Sequence, residues 1–145
     1  MKLTKAKQIN ILILEDDLYY NSLLAQKIQI LQQKSDIQNK VNIHIKQFNI
    51  PLDFLHTVKS TVSENTSTIA FIDYFLGYGI TGLDIVYLLQ EINKNIKIIL
   101  MSQSEKTIQN LKEPFWTNKN FIKIIKHDYT PDICCTIVEN HIKNI

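Results

Sequence analysis

At 145 residues and 45% apolar content, the chain suits one domain, spanning its whole length, with a single sizeable core. Its formal charge of +2 is small and it contains lysine but no arginine; arginine's planar fork is the preferred reader of guanine and phosphate, so a dedicated nucleic-acid binder is disfavoured. The adjacent Cys134 and Cys135 suit neither a disulfide framework nor metal-ligand spacing, no run approaches the ~18 apolar residues of a membrane helix, and MKLTKAKQIN lacks the apolar core of a signal peptide. A cytoplasmic protein with no direct nucleic-acid or membrane contact is therefore expected.

Five apolar runs rich in Ile and Val punctuate the chain: INILILE (9–15), VNIHIKQF (41–48), TIAFID (68–73), IKIILMS (96–102) and FIKIIK (121–126). Continuous rather than alternating apolar character marks strands buried on both faces, the habit of parallel sheets. The second run alternates most and reads as an edge strand.

Helical patterns fill the gaps. Over 18–34, Leu24, Ile28 and Leu31 share a stripe, with Asp16 or Asp17 available as cap. A shorter helix over 51–62 opens at Pro51. Over 82–94, Ile85, Leu88, Leu89 and Ile92 fall on one face, and a weak helix over 104–112 rests on Ile108 and Leu111. The last helix has Thr130 as N-cap, Pro131 in its first turn, Asp132 against the dipole, and then Ile133, Ile137, Val138 and Ile142. The polar stretches 35–40 and 63–67 read as loops. Strand–helix alternation repeated five times predicts right-handed parallel βαβ units: an α/β, flavodoxin-like, doubly wound (βα)5 sheet of order 2-1-3-4-5.

In such a sheet ligands bind beyond the carboxyl ends of the strands, where the strand order reverses between the first and third strands. Glu15, Asp16 and Asp17 close the first strand and Asp73 closes the third. Unpaired, these carboxylates would repel and at least one would have a raised pKa. A hard divalent cation, Mg2+, relieves that conflict. Ser102 ends the fourth strand and Lys126 the fifth, so acids, a hydroxyl and an ammonium share one rim. A carboxylate can attack phosphorus to form an acyl phosphate, while a cation, a lysine and a hydroxyl take up the charge on its equatorial oxygens.

ILILEDD, AFIDYFLGYGITGLDI, IILMSQS and FIKIIKHD, in that order, resemble the receiver domain of two-component response regulators over nearly the whole chain. The resemblance implies that Asp73 is the phosphoacceptor, that Asp16 ligates Mg2+ directly and Glu15 through water, and that Asp73 and the main-chain carbonyl of Phe75 complete the metal site. Ser102 and Lys126 match the phosphoryl-stabilising switch pair, and Leu76 and Gly82 the residues of the loop after the acceptor. The implied partners are a sensor histidine kinase or phosphotransfer protein and an unidentified downstream protein, with a homodimer through the fourth helix, fifth strand and fifth helix as a further expectation. No output domain and no dedicated substrate turnover are expected.

Several positions depart from the family pattern. His127 stands where proline usually follows the lysine, and a trans peptide is expected there because a non-proline cis bond costs about 2.5–4 kcal/mol. Lys123 occupies the usual aromatic switch position, with Phe121 two residues back on the same strand face. Gln103 is long where a small residue is usual, and Phe75 and Ser104 occupy positions that tune dephosphorylation. These departures sustain an alternative, an unphosphorylated pseudo-receiver acting as an interaction module. An aspartyl-phosphate phosphatase of the haloacid dehalogenase type would need a second Asp two after the nucleophile, where Phe75 and Leu18 stand. His44, His56, His127 and His141 read as surface or half-buried residues, one of Tyr19 and Tyr20 as packed and the other as exposed, Tyr78 as bordering the crevice, and Trp116 as a partly buried anchor.

Overall fold

Alternating residues of the central strands diverge to two cores. The structure, a computed structural model, describes residues 7–61, 66–111 and 120–145. Its strands are β1 (Lys7–Leu14), β2 (Val41–Phe48), β3 (Ser67–Asp73), β4 (Lys97–Ser102) and β5 (Phe121–Ile125). All pair in parallel, in the order β2-β1-β3-β4-β5, as the alternation predicts. The helices are α1 (Leu18–Leu31), α2 (Ser35–Gln38), α3 (Pro51–Thr61), α4 (Gly82–Ile92), α5 (Glu105–Asn110) and α6 (Thr130–Lys143).

Ile9, Ile11, Ile13, Ile69, Phe71, Ile99 and Met101 pack with α1 and α6 residues such as Leu24, Ile28, Val138 and Ile142. Leu12, Leu14, Ala70, Ile72, Ile98 and Leu100 pack on the other side with Phe54, Val58, Ile85 and Leu89 from α3 and α4. Strand side chains alternate with period two, so both sets must be apolar. Fully burying one such side chain is worth roughly 1.5–3 kcal/mol. The edge strand β2 keeps the predicted alternation, burying Val41 and Ile43 and exposing Asn42 and His44.

Some expectations are corrected. The stretch 35–40 is not all loop: α2 forms a single helical turn because Ile37 has a core site to fill. Ser67, expected in a loop, opens β3. On α4 the buried face centres on Ile85, Val86 and Leu89, which leaves Leu88, about a sixth of a turn off its edge, exposed. On α6 Cys134 takes the core position next to exposed Ile133. Thr130 does not cap α6. It is the first helical residue, fully buried; its hydroxyl accepts from His127 N at 2.8 Å and donates to Ile125 O at 3.3 Å, tying β5 to α6. Trp116 lies outside the described residues.

Candidate functional site at the strand tips

Register decides which tip residues can meet. Leu14 pairs with Ile72 and Asp73 with Met101, so Glu15 lies beside Asp73. Met101 pairs with Ile124, and Lys126 continues the face of Ile124. Glu15, Asp73 and Lys126 thus project on the α1–α6 side of the sheet. Ser102 and Lys123, one register position away from that face, belong to the other side.

At the tip of β1, Glu15 N donates to Phe48 O at 3.0 Å, which extends the pairing with β2 by one rung. The fully buried Glu15 main chain is held further by Asn21, whose side-chain amide donates to Glu15 O (3.0 Å) and Phe48 O (2.9 Å) while its oxygen accepts from Gln47 (2.9 Å). Sequence reasoning missed Asn21. A buried polar residue in a helix's first turn was the available signal, and it names no partner. Asp17 caps α1 by accepting from Tyr20 N at 3.2 Å, leaving the exposed Asp16 to face the crevice.

At the tip of β3 the chain reverses tightly. Tyr74 N donates to Met101 O (2.8 Å) and Gly82 N donates to Tyr74 O (2.7 Å). A Cβ at position 82 would collide with the Asp73 carbonyl and stand 2.8 Å from Leu100 Cδ1, so the turn needs glycine there. Leu76 is buried beneath the loop. Gly77, Tyr78 and Gly79 all have positive φ, a conformation that costs glycine nothing and Tyr78 more. A reciprocal capping box between Thr81 and Asp84 then starts α4.

The resulting crevice is lined by Glu15, Asp16, Asp17, Asp73, Phe75, Gln103 and Lys126. Carboxylate oxygens of Glu15, Asp16 and Asp73 lie within 4.8 Å of one another. The Lys126 ammonium sits 2.6 Å from Glu15 Oε1 and 3.7 Å from Asp73 Oδ1, with the Tyr20 ring centroid 4.2 Å away. Burial and the neighbouring Glu15 charge push the Asp73 carboxyl up to about 8, against the opposing pull of Lys126. Burial likewise raises Glu15 despite its bond to Lys126. One ammonium does not satisfy this set: Glu15 Oε2 is buried without a hydrogen-bond partner. Clustered hard oxygens with an orphaned lone pair fit a small divalent cation.

Other predicted residues are placed differently. Ser102 is fully buried and outside the crevice lining; its hydroxyl accepts from Ser104 N at 3.1 Å. Ser104 caps α5, accepting from Thr107 N at 3.1 Å, and does not line the crevice either. Gln103 does reach it. Phe75, 54% exposed, stands at the mouth with its ring edge-on to Tyr74. The Lys126–His127 peptide is trans, as expected. Tyr19 is exposed while Tyr20 packs on the lysine. Tyr78 is exposed and absent from the lining. His141 is held by Ser67 Oγ at 2.6 Å, far from this end of the sheet.

No protein-family model matches the chain, and no curated protein does. Solved structures do match. A response regulator receiver protein from Sinorhizobium medicae superimposes with a TM-score of 0.66 at 12% identity, over 96% of each chain. The response regulator TrrA from Thermotoga maritima, in complex with Mg2+ and BeF, gives 0.63 at 16% identity, over 92% of this chain and 97% of that one. A Burkholderia pseudomallei response regulator with a phosphorylated aspartic acid and a calcium ion gives 0.56 at 12% identity, over 91% and 71%. The five-stranded parallel sheet described above, in its order and its helical layers, has the fold of the response-regulator receiver domain.

Proposed function

We propose that the chain is a phosphorylation-dependent signalling switch in which Asp73 accepts a phosphoryl group from the phosphohistidine of a sensor kinase or phosphotransfer protein. The observation that carries this reading is the convergence of Glu15, Asp16, Asp73 and Lys126 on one crevice. An Asp73 carboxylate oxygen bonds phosphorus as the bond from phosphorus to the donor's imidazole nitrogen breaks, and the electron pair leaves with the imidazole. Glu15, Asp16, Asp73 and the Phe75 carbonyl would hold Mg2+, which when bound keeps Asp73 ionised and offsets phosphoryl charge. Lys126 moves its hydrogen bonding onto a phosphoryl oxygen. Ser102 gives up the Ser104 N–H and turns its hydroxyl to a second oxygen, carrying α5 with it. The face formed by α5, β5 and α6 then meets a downstream protein or a second copy of the chain. Receiver structures holding Mg2+ with BeF, or a phosphorylated aspartate, support the reading by analogy of fold.

Phe75 shields the acyl phosphate from water in this scheme. Substituting Phe75→Asn should shorten its lifetime, and an unchanged lifetime removes that role. The switch itself is tested by intact mass after incubation with Mg2+ and acetyl phosphate. One added phosphoryl group on the wild type and none on Asp73→Asn supports it. No addition favours the second reading, a pseudo-receiver that binds partners unphosphorylated. The buried Ser102 hydroxyl, engaged with Ser104, and Gln103 in the crevice favour that alternative.

A further inference from the structure

The Lys126 ammonium has three walls. Two are the Glu15 and Asp73 carboxylates; the third is the face of Tyr20, whose ring centroid lies 4.2 Å from Nζ. We propose that Tyr20 is a positioning residue: its π face fixes the Lys126 ammonium at the inner wall of the crevice, turned to the acids. The inference deepens the phosphoryl-acceptor reading and rests on it for the consequence, though not for the contact.

Geometry makes the ring's position specific. Tyr20 stands in the first turn of α1, directly after the acidic tip of β1, and its main-chain N–H donates to the Asp17 cap. The helix start that places Asp16 at the crevice therefore also places the ring. Lys126 enters from β5, its N–H fixed to Ser102 O at 2.7 Å, and its long stem has rotamers that the strand does not restrict. A negative ring face under a nearly dry ammonium selects among them. The ring face, with its centroid 4.2 Å from Nζ, makes the contact with Lys126, while the buried phenolic oxygen lies towards Thr130.

The test separates the ring's electrons from its bulk. Tyr20 is replaced by phenylalanine and then by ring-fluorinated phenylalanines of increasing fluorine content, which drain the π face while nearly keeping its shape. In the metal-free protein, the Lys126 side-chain methylene protons should be shifted upfield by the ring. They should move towards ordinary lysine positions as fluorination increases, and lose the shift in Tyr20→Leu. Phosphorylation by acetyl phosphate with saturating Mg2+ should slow along the same series by roughly three- to thirtyfold from first member to last, while calorimetric Mg2+ affinity stays level. Absence of the upfield shift in the wild type overturns the contact. A shift with rates flat across the series overturns the positioning role and leaves Tyr20 as packing. A wild type that shows the fluorine-dependent shift but takes up no phosphoryl group sinks the switch reading while the ammonium seat stands.

Discussion

The tips of β1, β3 and β5 differ from the tip of β4. The first three bring Glu15, Asp73 and Lys126 together on one side of the sheet, two carboxylates against one ammonium, all buried. The tip of β4 presents Gln103 to the same crevice and keeps Ser102 on the other side, its hydroxyl engaged with the start of α5. The contrast follows from pairing: Asp73 is opposite Met101, not Ser102. Three tips therefore make an ion-paired core that one ammonium only partly neutralises, and under the proposed function the fourth would be a hinge that turns to join it.

The largest expected effect comes from breaking the ion-paired side. Lys126→Ala leaves Glu15 and Asp73 buried with no cation, and loss of one partner of a buried pair costs about 3–5 kcal/mol. Urea unfolding of the metal-free protein at pH 7.5 should show it, and Mg2+ should restore part. A loss below ~1 kcal/mol would mean that the two acids are solvated or take up a proton in place of the lysine. Next is Gly82→Ala. A Cβ driven against the Asp73 carbonyl and Leu100 must displace the turn that aims Asp73, at about 1–3 kcal/mol. Its Mg2+ affinity should fall as well, since the Asp73 carboxylate moves; stability lost with Mg2+ binding intact would place the strain elsewhere in the loop.

Asp73→Asn acts in the opposite direction. In the folded metal-free protein the Asp73 carboxyl titrates at about 8, well above an unfolded aspartate near 3.9. The folded state therefore binds the extra proton between those values. The stabilisation is complete below the unfolded pKa and is lost as pH rises through the folded one. The wild type should weaken between about pH 4 and 8 in the absence of metal, and Asp73→Asn should flatten that slope, gaining on the order of 1–2 kcal/mol at pH 9. Mg2+ should stabilise the wild type at high pH and leave the variant nearly unmoved. Equal slopes for both proteins would assign the titration to Glu15.

The same division explains what could be read from the chain beforehand. The strand order and the acidic, hydroxyl and lysine tips were legible because parallel strands write themselves as apolar runs and end in the residues they present. What escaped was set by side-chain choices between equal local options. Asn21 could have faced water, yet it binds the Glu15 and Phe48 carbonyls. Thr130 had the chemistry of a cap, yet Tyr129 precedes the helix and the threonine hydroxyl bridges His127 and Ile125. Leu88 and Ile133 were apolar residues at plausible helical spacing, displaced from the core by Val86 and Cys134. The Tyr20 contact required knowing which of two adjacent rings turns inward, which depends on the Asp17 cap fixing the phase of α1.

Ser102→Ala probes the hinge and carries the smallest effect. In the metal-free protein the hydroxyl accepts one hydrogen bond, from Ser104 N, which opens α5; its removal costs the net worth of such a bond, about 0.5–1.5 kcal/mol. The informative quantity is where that cost moves on phosphorylation. If the hydroxyl turns to the phosphoryl group, the variant should accept phosphate more slowly and hold it less long, and hydrogen exchange at Ser104 should match in the two phosphorylated proteins, because in both the N–H has lost its partner. If Ser102 instead stays with Ser104, phosphoryl uptake and lifetime should equal the wild type, with exchange at Ser104 faster in the variant at every stage. The second result would leave β4 a spectator, and a site of three tips would accept phosphate with no means of passing the event to α5.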